Sequence, residues 1–215
     1  NGVVLGSLYV LVALGLTLIY GVLVQINFAH ADFVTLGAFA AYFFMHLVGG
    51  GYILSIAVAF VVGAALGWLI NVSIFAPLRR KGNELLPLIA TIGVSVMMQN
   101  LMLAWFGPIP YAFETQYSSE VIRFAGIFVS WQSVIIIIVS ILTIALLYAF
   151  MKFTFLGKAL RAVAQDRETA GLMGINPNYL IMLTFVIASA LAGMGGAMLA
   201  PVLVLTPTSL CSRFC

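Results

Sequence analysis

The chain has 215 residues, of which 64% are hydrophobic and 7% charged, with a formal net charge of +3. Soluble domains carry roughly 25% charged residues, so there are too few ionic groups here to coat a globular surface in water. Seven of the nine basic residues fall in two short clusters, at 79–81 and 152–167, a pattern that orients a membrane protein rather than one that binds nucleic acid.

Charge-free stretches at 1–31, 33–78, 85–113, 124–151 and 169–212 are long enough to span a bilayer as helices. A β-barrel is a poor alternative, because barrel strands alternate apolar and polar residues over about ten positions and these runs are apolar on all sides. The predicted class is all-α: a polytopic transmembrane helical bundle of about six spans, with one polar interval forming a short helix outside the bilayer.

The first span is predicted over 2–23, with no basic n-region or small-residue cleavage site to mark a cleavable signal. The stretch INFAHADF (26–33) follows, where Asn27, His30 and Asp32 gather and Asp32 is the only formal charge in residues 1–78. Two readings stand side by side. In one, this is a tight turn, with Asn27 accepting backbone hydrogen bonds and Asp32 near the next helix's N-terminus, where negative charge is favourable by roughly 0.3–1 kcal/mol. In the other, it is a helix break whose free backbone and polar side chains line a translocation path or a subunit contact, an ionisable group in a membrane region being a functional candidate by default. Depth decides between them: at about 1.5 Å per residue, Asn27 lies roughly 37 Å along from Gly2, at the interface if the helix enters the bilayer at Gly2 and deeper if the native chain starts earlier.

Further spans are predicted over 32–48, 52–76, 85–106, 130–151 and 179–205. His46, near the outer end of its span, reads as interfacial, and the NVS tripeptide at Asn71 lies inside an apolar span, which discounts it as a glycosylation acceptor. Two spans separate the loop Arg79–Arg80–Lys81 from the cluster of Lys152, Lys158, Arg161 and Arg167, so both lie on one face, cytoplasmic by the positive-inside rule. The segment 107–127, with Pro108, Pro110, Glu114, Glu120 and Arg123, is then an external loop. Gly2 and Gly6, Gly63 and Gly67, and the series Ala188, Ala192, Gly196 and Ala200 are small-residue repeats that let helices approach closely within the chain.

The longest polar interval is 152–178. Leu156, Leu160, Val163 and Ala170 fall near one helical face, and Lys158, Arg161, Gln165 and Glu168 on another, which predicts an amphipathic helix from about Leu156 to Met173. Gly174 and the pair Asn176–Pro177 end it. Such a helix either lies on lipid headgroups or docks into a groove of a soluble partner through its apolar anchors.

INFAHADFVTLGAF, GKALRAVAQDRETAGLMGIN and the opening GSLYVLVALGLTLIYG together resemble the permease subunits of ATP-binding-cassette importers for branched-chain amino acids, the LivH type, from Gly2 to about Pro207. That resemblance implies a permease domain over 1–207, incomplete at its C-terminus, and an atypical tail over 208–215 where LCSRFC departs from the pattern. It implies that the 152–178 segment is the coupling helix that fits a cleft on an ATPase subunit, carried by Leu160, Arg161, Asp166, Arg167, Glu168, Ala170 and Gly174. Glu168, Thr169, Ala170 and Gly174 are similar to the E-A-A-x-x-x-G signature of importer permeases, with Thr169 in place of an alanine and no I-x-L-P continuation. The implied assembly contains a second permease, the same or paralogous, two ATPases, an extracytoplasmic solute-binding protein and membrane lipid, in a bacterial-type inner membrane. No cofactor is expected in this chain, ATP being bound by the partner subunits, and no nucleic acid.

No enzymatic motif competes. Gly157–Lys158 is not part of a Walker loop, since Ala159 replaces the magnesium-binding Ser or Thr. H-E-x-x-H and G-x-S-x-G are missing, and GVSVM at Gly93 breaks the latter with Met97. Cys211 and Cys215 argue neither a disulfide framework nor a metal site. The alternatives to a permease are an ion-coupled secondary transporter with His30 and Asp32 as a proton relay, and a structural membrane subunit without a solute path.

Overall fold

The structure is a computed structural model that describes residues 2–23, 27–79, 85–107, 121–124 and 127–202, with backbone alone for 121–129. Its helices in chain order are α1 (Gly2–Leu23), α2 (His30–Val48), α3 (Tyr52–Arg79), α4 (Leu85–Phe106), α5 (Trp131–Phe153), α6 (Phe155–Gln165), α7 (Arg167–Leu172) and α8 (Pro177–Leu199). Six of them, α1 to α5 and α8, are long and apolar enough to cross a membrane. The membrane body is the expected all-α polytopic bundle. Residues 203–205 of the last predicted span, Arg80, Lys81 and the tail 208–215 with its two cysteines lie outside the described residues, as do Pro108, Pro110, Glu114 and Glu120.

Three boundaries differ from expectation, each for a local reason. The predicted loop at 107–127 contains strand β1 (Val121–Phe124), paired antiparallel with β2 (Ile127–Ser130) so that Val121 faces Ser130 and Phe124 faces Ile127. Both tetrapeptides are rich in the β-branched and aromatic residues that favour strands. α3 runs past residue 76 to Arg79 through a π turn at Asn71–Phe75. That wider turn directly precedes Pro77, whose ring clashes with the carbonyl four residues back in a regular helix. The single amphipathic helix expected from Leu156 to Met173 is instead two helices, broken at Asp166, which is extended at φ −153°, ψ 115°.

α8 is the centre of the bundle: 78% of its apolar stretch is buried, against 11% for α5. It packs on α1, α2 and α3. In lipid no hydrophobic force drives helices together, so close contact relies on small side chains and dispersion, and the predicted small-residue series on α8 sits where the backbones meet. A methyl group on Gly37 of α2 would overlap the backbone of Gly193, one on Gly196 would overlap the Val34 carbonyl, and one on Gly63 would come within 2.5 Å of the Ser189 carbonyl. Gly2 and Gly6 differ: nothing lies within 4 Å of either position. The Ala188 and Ala192 side chains are fully buried.

Helix ends are capped by the residues that sequence chemistry favours. Asn176 accepts from the Asn178 and Tyr179 amides at 3.1 and 3.3 Å, with Pro177 at the first helical position. Thr154 closes α5 and opens α6, its hydroxyl donating to the Phe150 carbonyl and accepting from the Gly157 amide. α7 ends in a Schellman turn: Ile175 N–H donates to Ala170, Gly174 N–H to Gly171, and Gly174 has φ 81°.

Candidate functional site

All three polar residues of the 26–33 stretch are buried, with Asn27, His30 and Asp32 at 4%, 4% and 1% exposure. Asn27 stands ahead of α2 and its Oδ1 accepts from the Ala29 amide at 3.1 Å, while its carbonyl accepts from His30 N–H at 3.2 Å. α2 begins at His30, and Asp32 lies in its first turn. These are the bonds of the tight-turn reading. The side chains then leave the turn in different directions. His30 reaches α1, its Nε2 3.1 Å from the Val12 carbonyl, through a gap kept open by Gly15, where a methyl group would come within 2.9 Å of the ring. Asp32 faces α4, where its Oδ1 accepts from Gln99 Nε2 at 3.1 Å and the same nitrogen donates to Ser95 Oγ at 3.1 Å.

Asp32 therefore belongs to a polar seam between α2 and α4. Thr91, Ser95 and Gln99 follow one another at four-residue spacing on α4, with Thr35 one turn beyond Asp32 on α2. The two helices run parallel, and the far end of the seam is closed by Phe106, stacked on Phe39 at 4.7 Å and on Phe43 at 4.9 Å. Asp32 Oδ2, His30 Nδ1 and Asn27 Nδ2 are buried without a hydrogen-bond partner among the described residues. Leaving such groups unmet costs about 1–3 kcal/mol each, more for a charged one, so these are positions where a polar solute or water is favoured. Gln99 and Ser95 were not singled out from the sequence, although a polar pair at i, i+4 inside the apolar span 85–106 is the kind of signal that finds such a seam.

The predicted coupling residues lie together at the C-terminal end of α1. Leu160, Val163 and Ala170 are buried, holding α6 and α7 against α1, α5 and α8. The apolar face thus packs on the chain's own helices. Arg161 Nη1 donates to the Met151 carbonyl near the end of α5, and Arg167 Nη2 donates to the Val22 and Leu23 carbonyls at 3.1 and 2.6 Å. Each arginine therefore caps the C-terminus of a membrane helix, where cations are favoured by the helix dipole. Arg167 is also near enough to Arg79, at the end of α3, for the two guanidinium groups to repel. The ends of α1 and α3 and the whole α6–α7 segment share one end of the bundle, whereas His30, at the start of α2, meets α1 at Val12 and Gly15, near the middle of that helix.

Asp166 is the N-cap of α7. Its carboxylate accepts from the Thr169 hydroxyl at 2.5 Å, the Thr169 amide at 3.1 Å and the Glu168 amide at 2.9 Å. These bonds, led by the Thr169 hydroxyl, hold it below the usual aspartate range. What α7 offers outward is Glu168, Thr169, Leu172 and Met173, the last two exposed at 88% and 79%, followed by Gly174. No group of three or more His, Cys, Asp or Glu side chains able to hold a metal occurs among the described residues.

Residues 1–211 match the family described as branched-chain amino acid transport system / permease component. The chain belongs to that family. Relatives include the high-affinity branched-chain amino acid transport system permease protein BraD of Pseudomonas aeruginosa, 33% identical over 211 residues. The permease proteins LivH of Salmonella typhimurium and of Escherichia coli K12 are 35% identical over 218 residues and 34% over 212. In each case the match covers 93% of this permease and 68% of the relative. No solved structure matches it.

Proposed function

We propose that this chain is a membrane-spanning permease subunit of an ATP-driven importer, and that it moves branched-chain amino acids or similar small polar solutes across a bacterial-type inner membrane without covalent chemistry. The observation that carries the reading is the family match over residues 1–211, which favours the importer over the ion-coupled alternative. The partners are a second permease, two ATPases that bind the ATP, and an extracytoplasmic solute-binding protein. The end bearing Arg79, α6 and α7 is cytoplasmic, in keeping with the excess of basic residues there.

In this reading the α2–α4 seam lines part of the solute path. An amino acid carries an ammonium group that seeks an acceptor, and Asp32 Oδ2 is a buried acceptor with none of its bonding made among the described residues. The experiment is leucine uptake into proteoliposomes holding the assembled complex. ATP-dependent uptake that a proton gradient alone does not drive is expected. Uptake on a proton gradient without the ATPases overturns the reading. Asp32→Asn, at equal abundance, is expected to lower uptake at least tenfold while leaving thermal unfolding near the wild type, because Gln99 can still donate to the amide oxygen. Wild-type uptake would confine Asp32 to the turn.

A further inference from the structure

A second polar site lies away from the seam, in a cleft of about 430 Å³ between the π turn of α3 and the start of α8, lined by Asn71, Pro77, Arg79, Asn178, Tyr179 and Met182 among others. Asn71 is 1% exposed, and its Oδ1 accepts from Arg79 Nη2 at 3.1 Å. That bond orients both groups and leaves Asn71 Nδ2 with Arg79 Nε and Nη1 buried and without hydrogen-bond partners among the described residues. All three are donors. Burying unmet donors is costly, above all on a cation, so the cleft requires an acceptor that the described residues do not supply.

The electrostatics select a negative one. Arg79 is repelled by Arg167, and the 23-residue helix α8 begins at the cleft, with Asn178 and Tyr179 on its wall, so the positive end of its dipole faces the same space. The surroundings select a lipid. Trp68, Leu69 and Val72, on the adjoining face of α3, are 50%, 51% and 44% exposed, and Tyr179 at the rim is 48% exposed. A Tyr at a helix end, as Tyr179 is near the start of α8, marks the headgroup level, and Trp68, Leu69 and Val72 further inside α3 are the apolar neighbours toward the hydrocarbon. The π turn beginning at Asn71, in which Ala76 N–H donates to the Asn71 carbonyl, is a departure from regular helix of the kind that recurs at functional sites.

We propose that this cleft binds the phosphate of an anionic phospholipid headgroup, held by Arg79 and Asn71, with an acyl chain along Trp68, Leu69 and Val72. The site is independent of the solute path and can be tested without solute or ATP. The purified chain in detergent is incubated with phosphatidylglycerol or phosphatidylcholine and retained lipid is counted by native mass spectrometry, with thermal unfolding as the folding control. Preferential retention of phosphatidylglycerol is expected. Arg79→Gln should lower that retention about fivefold, the value of one cation at a lipid surface, without changing phosphatidylcholine. Arg79→Lys keeps the charge and should keep part of the preference, and Asn71→Ala should weaken it in a protein that still folds. Unchanged retention in folded Arg79→Gln or Asn71→Ala overturns the proposal. Complete displacement by millimolar inorganic phosphate also overturns it, by showing a site for the free anion. So does loss of ATPase association in Arg79→Gln with lipid retention intact, by assigning the cleft to a protein partner.

Discussion

Asp166 and Arg167 are neighbours with opposite tasks. Asp166 starts α7 by accepting the Glu168 and Thr169 amides, while Arg167 ends α1 by donating to Val22 and Leu23. The first task is local, aspartate being a favoured N-cap whose carboxylate meets the amides two and three residues on. The second spans 144 residues to Leu23, and nothing in the basic cluster says which arginine caps which helix. Because the Asp166 carboxylate is held below its usual range in the folded chain, its contribution is fully present above the ordinary aspartate range and is lost as pH falls through the lowered value. Hydrogen exchange at the Glu168 and Thr169 amides, taken relative to the intrinsic rate at each pH, should therefore be flat near neutrality and accelerate only in acid. Asp166→Ala should accelerate it severalfold at neutral pH. Asp166→Asn, which caps without charge, should stay near wild type there and lose the acid transition. A wild-type profile for the alanine variant would remove the capping role.

At the scale of elements, the spans were legible because membrane helices announce themselves by length and by freedom from charge, and the observed spans lie within a few residues of their predictions except at the end of α8, which stops at Leu199 where the prediction ran to 205. The break at Asp166 was not, because Leu160, Val163 and Ala170 keep a common apolar direction on both sides of it, so the periodicity continues through a helix that does not. Nor does glycine spacing alone tell intramolecular contacts from open faces. Gly63, Gly67, Gly193 and Gly196 meet neighbouring backbones or the Ser189 side chain, whereas Gly2 and Gly6 meet nothing. The contrast gives a direct test. Gly196→Val and Gly37→Leu should destabilise the chain by about 1–3 kcal/mol through overpacking, measured by unfolding in mixed micelles. Gly6→Leu should fall within about 0.5 kcal/mol of wild type. A large loss at Gly6 would mean that α1 packs through that face after all.

In the whole molecule, the outward tip of α7 is tied to the membrane helices at several points. Ala170, Leu160 and Val163 seat the segment on the bundle, the turn at Gly174 leads directly into the central helix α8, and Arg167 holds the end of α1, after which the chain passes through Asn27 into α2 and the Asp32 seam. A partner pressing on α7 would thus load α8 and α1 together. If the ATPases dock here, the contact energy must come from what is exposed, namely Leu172 and Met173 with Glu168 beside them, because the apolar anchors Leu160, Val163 and Ala170 are already buried. Leu172→Asp and Met173→Asp should then leave the permease folded and in the membrane but weaken ATPase co-purification about tenfold or more, roughly 1.4 kcal/mol. Arg167→Gln should act differently: association near wild type, with ATP hydrolysis continuing while leucine uptake falls, because the tie from the docked helix to α1 is cut. Measuring association, hydrolysis and uptake on the same assembled complexes separates the two. Normal association in both aspartate variants would move the ATPase contact off α7. Normal uptake in Arg167→Gln would mean that motion reaches the seam through α8 alone.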